Sequence, residues 1–315
     1  MALAVASAVG VALGSAGPDG PALGALLPVT RAGIITGFAV MVGVSLLPPL
    51  LGPDEGDAPV WAAARRLGLL GAGLAVGSSI GHLLARVDQI APGAGLRPVL
   101  VLRYVATFTV GKALVAAAMA GLAYLILAGR RGFLPRRDAA AGIMIAFVGV
   151  LPVSLSGHAS HVEADFGGPM VLAMAGHVLG AMCWVGVLTV LAAVLRGYPS
   201  ALARTLPRYS RFAGGCAALV ALTGSLSAAV ILTAEAGAET SWTEVLTDPY
   251  GLLVLAKLAG LLIVVALGAR IRFTFLPGLR EGRVGTTVRW ILVEVAAMGA
   301  VFGIAALLAG ASPTL

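Results

Sequence analysis

Long apolar segments separated by short polar segments set the pattern of this chain. A membrane span needs about 20 predominantly apolar residues, and lipid requires its backbone to be helical. Nine segments approach this description, namely residues 2–16, 24–50, 66–86, 101–128, 139–156, 169–195, 210–233, 249–270 and 287–309. The pattern therefore predicts an all-α fold, a polytopic transmembrane helix bundle of about nine spans.

The first segment, residues 2–16, has no Lys or Arg before it. A cleavable signal peptide normally begins with a charged region. We therefore predict that this segment is a retained helix, with a cleaved segment as the alternative.

The polar segments alternate in charge along the chain. One set contains fifteen of the 21 Lys and Arg residues, including Arg130, Arg131 and the four arginines between positions 196 and 211. The other set contains acidic residues such as Glu163 and Asp165. Because short loops rich in Lys and Arg face the cytoplasm, the basic set is predicted to be cytoplasmic. With nine spans, the N-terminus is then cytoplasmic and the C-terminus is outside.

Composition agrees with a membrane protein and argues against a nucleic-acid partner. The chain is 59% hydrophobic and 11% charged, with a mean hydropathy of +1.00, whereas soluble domains contain about 25% charged residues. Its formal net charge of +7 comes from cations in short loops rather than from one basic stripe. No internal repeat or separate soluble domain is visible, so residues 1–315 are interpreted as a single integral membrane domain.

The four histidines supply the main chemical signal. His158 and His161 lie in the predicted outer loop between the fifth and sixth spans, and His177 lies about two turns into the sixth. His82 lies at the outer end of the third span, so all four are predicted on the outer half of the membrane. A loop histidine is often only solvated. An ionisable group inside a span is costly and tends to be functional, which favours a site role for His177.

Met170, Met174 and His177 share one face of the sixth span, because they stand at i, i+4 and i+7. Imidazole is a good ligand for copper, and thioether selects Cu(I). Methionines at helical spacing also commonly fill a core. We predict an outward-facing copper site whose candidate ligands are His158, His177, His161, Met170, Met174 and His82.

Four further charged residues, Arg31, Lys112, Lys257 and Glu294, lie within apolar segments. They are interpreted either as interhelical pairs or as steps on an ion pathway. No nucleophile–base pair, phosphate-binding loop or zinc-protease motif is present, and the two cysteines form no C-x-x-C pair. The protein is therefore not expected to be an enzyme.

A series of short motifs follows in order along the second half of the chain. They are Gly157-His158-Ala159, the helix with His177 and Trp184-Val185-Gly186, Arg208-Tyr209-Ser210-Arg211-Phe212, Thr223-Gly224, Thr247-Asp248-Pro249-Tyr250-Gly251 with Lys257, and the last helix with Glu294. Together these motifs resemble the CopD family of bacterial copper-resistance membrane proteins. The resemblance is clearest over residues 140–309.

The resemblance implies copper import or homeostasis by a multi-pass protein of the inner (cytoplasmic) membrane. It points to His158 and His177 as copper-binding positions, and it matches Trp184 and Lys257 without assigning them a role. In some relatives the membrane domain is fused to a periplasmic copper-binding domain or to a cytochrome oxidase assembly domain. The copper ion, the lipid bilayer, a periplasmic copper donor and oxidase-assembly proteins are therefore the expected partners.

Two other functions are open from the sequence. A b-type membrane cytochrome would hold one haem between His82 and His177. A metal-free assembly factor for a respiratory oxidase would need none of the histidines. If copper is the ligand, binding should weaken below about pH 6, because a protonated imidazole does not bind metal.

Overall fold

The computed structural model describes residues 26–51, 58–91, 97–130, 135–155, 159–235, 249–276 and 284–308. Within these ranges the chain forms α-helices and contains no strand, which confirms the all-α prediction. The helices are α1 (Leu27–Leu51), α2 (Ala58–Ile90), α3 (Pro98–Thr107), α4 (Thr109–Gly129), α5 (Pro135–Leu155), α6 (Ala159–Val194), α7 (Pro199–Glu235), α8 (Pro249–Arg270) and α9 (Val284–Leu308).

Seven helical segments in the described ranges are long and apolar enough to cross a membrane. Helix α3 and the apolar part of α5, Asp138–Ser154, are shorter. The predicted first span, residues 2–16, lies outside the described residues. The prediction of a multi-pass helical membrane protein is therefore confirmed, whereas the number of nine spans and the sides of the two termini stay predictions.

The predicted span 101–128 is wrong as a single helix, because the structure divides it into α3 and α4 at Phe108. This residue has extended backbone angles, φ −103° and ψ 134°, and its N–H donates to the carbonyl oxygen of Tyr104 at 2.8 Å. Aromatic and β-branched residues around the break lower the local helix propensity. Gly111 then lets α4 pack closely on α3, since a Cβ there would lie 3.0 Å from Cδ1 of Tyr104.

The predicted outer loop before the sixth span is wrong over residues 159–168, where the structure has helix. Helix α6 begins at Ala159 and continues through Pro169, so His161 is a helical residue. A proline removes one backbone hydrogen bond, but membrane helices tolerate it where neighbouring groups satisfy the freed carbonyl. His158 lies outside the described residues.

Helix α1 is the centre of the packed part of the bundle, where it contacts α2, α5 and α6. Gly43 of α1 lies directly against the backbone of Gly186 of α6, and a Cβ on either glycine would overlap the other helix. Gly37 of α1 approaches Gly71 of α2 in the same way, with a Cβ 2.6 Å from the carbonyl oxygen. Small residues of this kind let membrane helices pack backbone to backbone.

Helices α8 and α9 form a pair that contacts the rest of the bundle less extensively. They pack chiefly on each other, while α9 also contacts α6 and α8 contacts α7. In the most apolar window of each helix, 72% of α1 is buried but only 11% of α8 and 22% of α9. Two cavities lie between this pair and the helices beside it.

Two arginines at the predicted cytoplasmic end cap helix C-termini. Arg208 of α7 donates from Nη1 to the carbonyl oxygens of Leu50 at 3.2 Å and Leu51 at 2.8 Å, at the end of α1. Arg65 of α2 donates to the final carbonyl groups of α4 at 2.5 and 2.9 Å. Cations are favourable at the negative end of a helix dipole. These arginines therefore tie neighbouring helices together.

Candidate functional site

His177 lies in a cavity of about 290 Å³, here called the outer cavity, where α1 and α5–α9 meet. Its wall is mainly apolar, including Ile35, Val178 and Phe302. The lining side chains that contain a polar group or a sulfur atom are Arg31, Ser154, Met174, His177, Met182, Trp184, Ser225, Ser227, Lys257 and Met298. A mainly apolar cavity with a few convergent polar groups is the usual form of a ligand site.

The imidazole of His177 is oriented by α7. Its Nδ1 lies 3.1 Å from the carbonyl oxygen of Val220, and because a carbonyl only accepts, Nδ1 donates. The hydroxyl oxygen of Thr223 lies 3.4 Å from the same nitrogen and donates its own proton to the carbonyl oxygen of Leu219 at 2.6 Å. The neutral ring therefore carries its proton on Nδ1 and leaves the lone pair of Nε2 for a ligand. Metal-binding histidines are commonly held in this way.

Gly224 provides the space for the ring. A Cβ at this position would lie 2.8 Å from Cε1 and 3.0 Å from Nδ1 of His177, but 4.0 Å from Nε2. Nε2 is thus the ring nitrogen farther from Gly224. The Thr223-Gly224 pair has a physical role here, since one residue places a hydroxyl beside Nδ1 and the other leaves room for the imidazole.

Three thioethers line the outer cavity with His177. Met174 precedes His177 by three residues on α6 and Met182 follows it, while Met298 comes from α9. The sequence pattern identified Met174 only. Met298 is separated from the histidine by more than a hundred positions in the sequence, so only the fold brings it to the cavity. Together with an imidazole, thioethers form a ligand set suited to Cu(I).

Two basic side chains also line the outer cavity, Arg31 from α1 and Lys257 from α8. Neither forms a hydrogen bond or an ion pair with another residue that the structure describes, and no acidic residue is among the described lining. A bound cation would be repelled by both groups when they are charged. A cation that binds here would therefore have to gain more from soft ligands than it loses to this repulsion.

Of the other predicted ligands, His158 and the side chain of His161 lie outside what the structure describes. Met170 is buried on α6 but does not line the outer cavity. The part of the chain that the structure covers contains no group of three or more His, Cys, Asp and Glu side chains that could hold a metal ion. A closed cage of such ligands is thus not formed by these residues.

His82 lies at a separate position between α1 and α2. Its side chain is buried, and Nδ1 lies 2.9 Å from the hydroxyl oxygen of Thr30. The guanidinium groups of Arg31 and Arg86 act on it electrostatically. His82 does not line the outer cavity. Its hydrogen bond and basic surroundings suit a structural role in joining α1 and α2.

A second cavity of about 240 Å³, here called the inner cavity, lies between α6, α7, α8 and α9. Its polar lining residues are Tyr209, Ser210, Arg272 and Glu294. Trp184 lines both cavities. Of the charged residues predicted within apolar segments, Arg31, Lys257 and Glu294 line a cavity, whereas Lys112 is exposed on α4.

A family model described as Copper resistance protein D matches residues 203–308. This region contains most of α7 and all of α8 and α9, and hence Gly224, Lys257 and Glu294, but not His177. No curated protein and no solved structure matches the chain significantly. Over residues 203–308 the chain is similar to the CopD family of copper-resistance proteins, which supports the family predicted from the motifs.

Proposed function

We propose that this protein binds copper ions in the outer cavity and imports them across the bacterial inner membrane. The observation that carries the proposal is the imidazole of His177, which is oriented through Nδ1 and leaves Nε2 free in a cavity that three thioethers also line. The CopD match supports copper as the ion. The four histidines, predicted on the outer half of the membrane, favour entry from outside.

The proposed ligand set is open rather than closed. His177, Met174 and Met182 come from α6, and Met298 comes from α9. A transported ion must bind strongly enough to enter and weakly enough to leave. Repulsion by Arg31 and Lys257 lowers the affinity and so favours release. Copper is thus a transient occupant of the cavity, and ion transfer rather than catalysis is the proposed activity.

The two rival functions receive less support. Haem ligation by His82 and His177 is unsupported, because His82 lies outside the outer cavity and bonds to Thr30 through Nδ1. A metal-free assembly factor would not require the oriented imidazole or the thioethers around it. A periplasmic copper donor and oxidase-assembly proteins remain the proposed partners, on the basis of the CopD family alone.

Metal content and visible absorption of the same purified protein test the proposal. Wild type should hold about one copper ion per chain and show no Soret band. His177→Ala should lose most of the copper. His82→Ala is the matched control, since it removes an imidazole outside the outer cavity, and it should retain the copper.

Two results would overturn the proposal. Full copper content in His177→Ala would show that this imidazole is not a copper ligand. A Soret band that disappears in either histidine variant would instead identify a cytochrome. Met174→Leu conserves side-chain volume, so lower copper affinity in this variant would be attributed to the thioether rather than to packing.

A further inference from the structure

The inner cavity contains a buried carboxyl group that copper binding in the outer cavity does not use. Glu294 lies in the middle of α9 with only 3% of its surface exposed. Apolar residues such as Leu188, Val265 and Ile291 form much of the wall around it. An ionised carboxylate in such a position is costly, and acidic groups inside membrane spans commonly mark ion or proton pathways.

The fold leaves space for the carboxyl group of Glu294 but does not pair it with a described cation. Gly268 of α8 faces it, and a Cβ there would lie 3.1 Å from Oε1 of Glu294. No hydrogen bond or ion pair joins Glu294 to another residue that the structure describes. The charged or titratable side chains that line the same cavity are Arg272 from the segment after α8 and Tyr209 from α7. Structural pairing therefore does not account for Glu294.

A second polar group beside this cavity also lacks a hydrogen-bond partner. Nε1 of Trp184 is buried and has no hydrogen-bond partner among the described residues. The indole is 5% exposed and lines the cavity, while Tyr209 donates to the backbone oxygen of Trp184 at 3.3 Å. A buried N–H without a partner costs free energy. The inner cavity, a space of about 240 Å³ with several polar groups, is large enough to hold water molecules.

The backbone beside the cavity is also irregular. Residues Ile271–Phe275 form a π-helical turn directly after α8, and three residues of that turn line the inner cavity. Such turns are rare and occur frequently at functional sites. The turn places Arg272 on the wall of this cavity.

We propose that Glu294 is a reversible proton-binding site, supplied by water in the inner cavity. A proton from this water adds to one carboxylate oxygen to give the neutral acid, and it returns to the water when the acid ionises. The apolar wall stabilises the neutral form. Trp184 lines both this cavity and the outer cavity. The proposal concerns the copper-free protein and does not depend on copper binding at His177.

Infrared spectroscopy of copper-free protein tests this proposal. The C=O stretch of a protonated carboxylic acid in wild type should grow as the pH falls between about pH 9 and pH 5. Glu294→Gln should lose this component. Asp138→Asn is the control, because Asp138 lies in the first turn of α5 and lines neither cavity. Equal pH-dependent spectra for wild type and Glu294→Gln would overturn the proposal.

If Glu294→Gln does not fold, the variant Gly268→Ala tests the same proposal, because it retains the carboxyl group. Gly268→Ala adds a methyl group against Oε1 of Glu294, so it should move the frequency or the midpoint of the same band. Dicyclohexylcarbodiimide, an apolar reagent that reacts with protonated carboxyl groups, should modify Glu294 at low pH but not at high pH. An unchanged band in Gly268→Ala, together with no modified Glu294 by peptide mass spectrometry, would contradict the proposal.

Discussion

The two parts of this membrane bundle differ in how tightly they are packed. In its most apolar window, α1 is 72% buried and meets its neighbours through close glycine contacts, whereas α8 is 11% buried. The loosely packed part belongs to the CopD match, residues 203–308, and the packed part lies outside it. His177 lies on α6 between them, and its imidazole is positioned by α7 of the matched region. The tightly packed part thus supplies stability, and the proposed copper site lies where the two parts meet.

Loose packing in a membrane helix bundle leaves space for a ligand. Helices that meet backbone to backbone, as α1 and α6 do at Gly43 and Gly186, leave no space for a ligand. Helices α8 and α9 contact each other more than the bundle, so cavities form beside them. Substitutions in the two parts should therefore have different effects, one on stability and the other on binding.

The largest effect is expected within the packed part, for Gly43→Leu. The added side chain would overlap the backbone of Gly186, so we expect a loss of at least about 3 kcal/mol in stability, or no folded protein. Thermal unfolding in detergent measures this. Gly73→Leu is the matched control, because a Cβ at Gly73 of α2 has no neighbour within 4 Å. Equal melting temperatures for the two variants would contradict the close contact.

Gly224→Ala should affect binding more than stability. The new Cβ would displace the ring of His177, which it would approach to 2.8 Å at Cε1. Loss of ligand orientation typically lowers metal affinity by about tenfold to a hundredfold. Copper affinity, measured by competition with a chromogenic Cu(I) chelator, should fall accordingly. Gly215→Ala on the same helix has no neighbour within 4 Å and should bind as wild type does. Equal affinities would show that Gly224 does not position the imidazole.

Arg208→Gln should weaken the connection between the CopD region and the packed part. It removes two hydrogen bonds from a guanidinium group to the last carbonyl oxygens of α1, so a loss of about 1 kcal/mol in unfolding free energy is expected. Denaturant titration measures this loss. Arg211→Gln serves as the control, because Arg211 is exposed on α7. The capping role would be contradicted if both variants lost the same stability.

The smallest effect is expected for Lys257→Gln, and it has the opposite sign. Removing a positive charge from the outer cavity should tighten copper binding by a few-fold to about tenfold. Chelator competition on the purified variant measures the change. Lys112→Gln, at an exposed position on α4, should leave the affinity unchanged. Weaker binding in Lys257→Gln would mean that Lys257 supports the metal instead of repelling it.

The sequence predicted the helices well because apolar runs of this length form helices in lipid. It failed at Phe108, where local propensity breaks a continuous apolar run, and over residues 159–168, where polar residues and Pro169 are helical. Apolar residues occur on nearly all sides of a membrane helix. Their positions in the sequence therefore contain little information on which helix faces meet.

The candidate site was predictable only in part for the same reason. His177 and Met174 stand out because they share a helix face and because an imidazole within a span is unusual. The partner of Nδ1 is a backbone carbonyl, that of Val220, and no sequence pattern marks it. Met298 reaches the cavity from another helix. The Thr223-Gly224 pair was visible as a motif, but its contact with the imidazole required the fold.

Copper X-ray absorption spectroscopy of the Cu(I)-loaded protein tests the central claim most directly, because it distinguishes nitrogen from sulfur ligands. We expect both kinds of ligand in wild type, loss of the nitrogen contribution in His177→Ala, and loss of most of the sulfur contribution in the double variant Met174→Leu, Met182→Leu. A spectrum with oxygen and nitrogen ligands alone, unchanged in both variants, would contradict a copper site in the outer cavity.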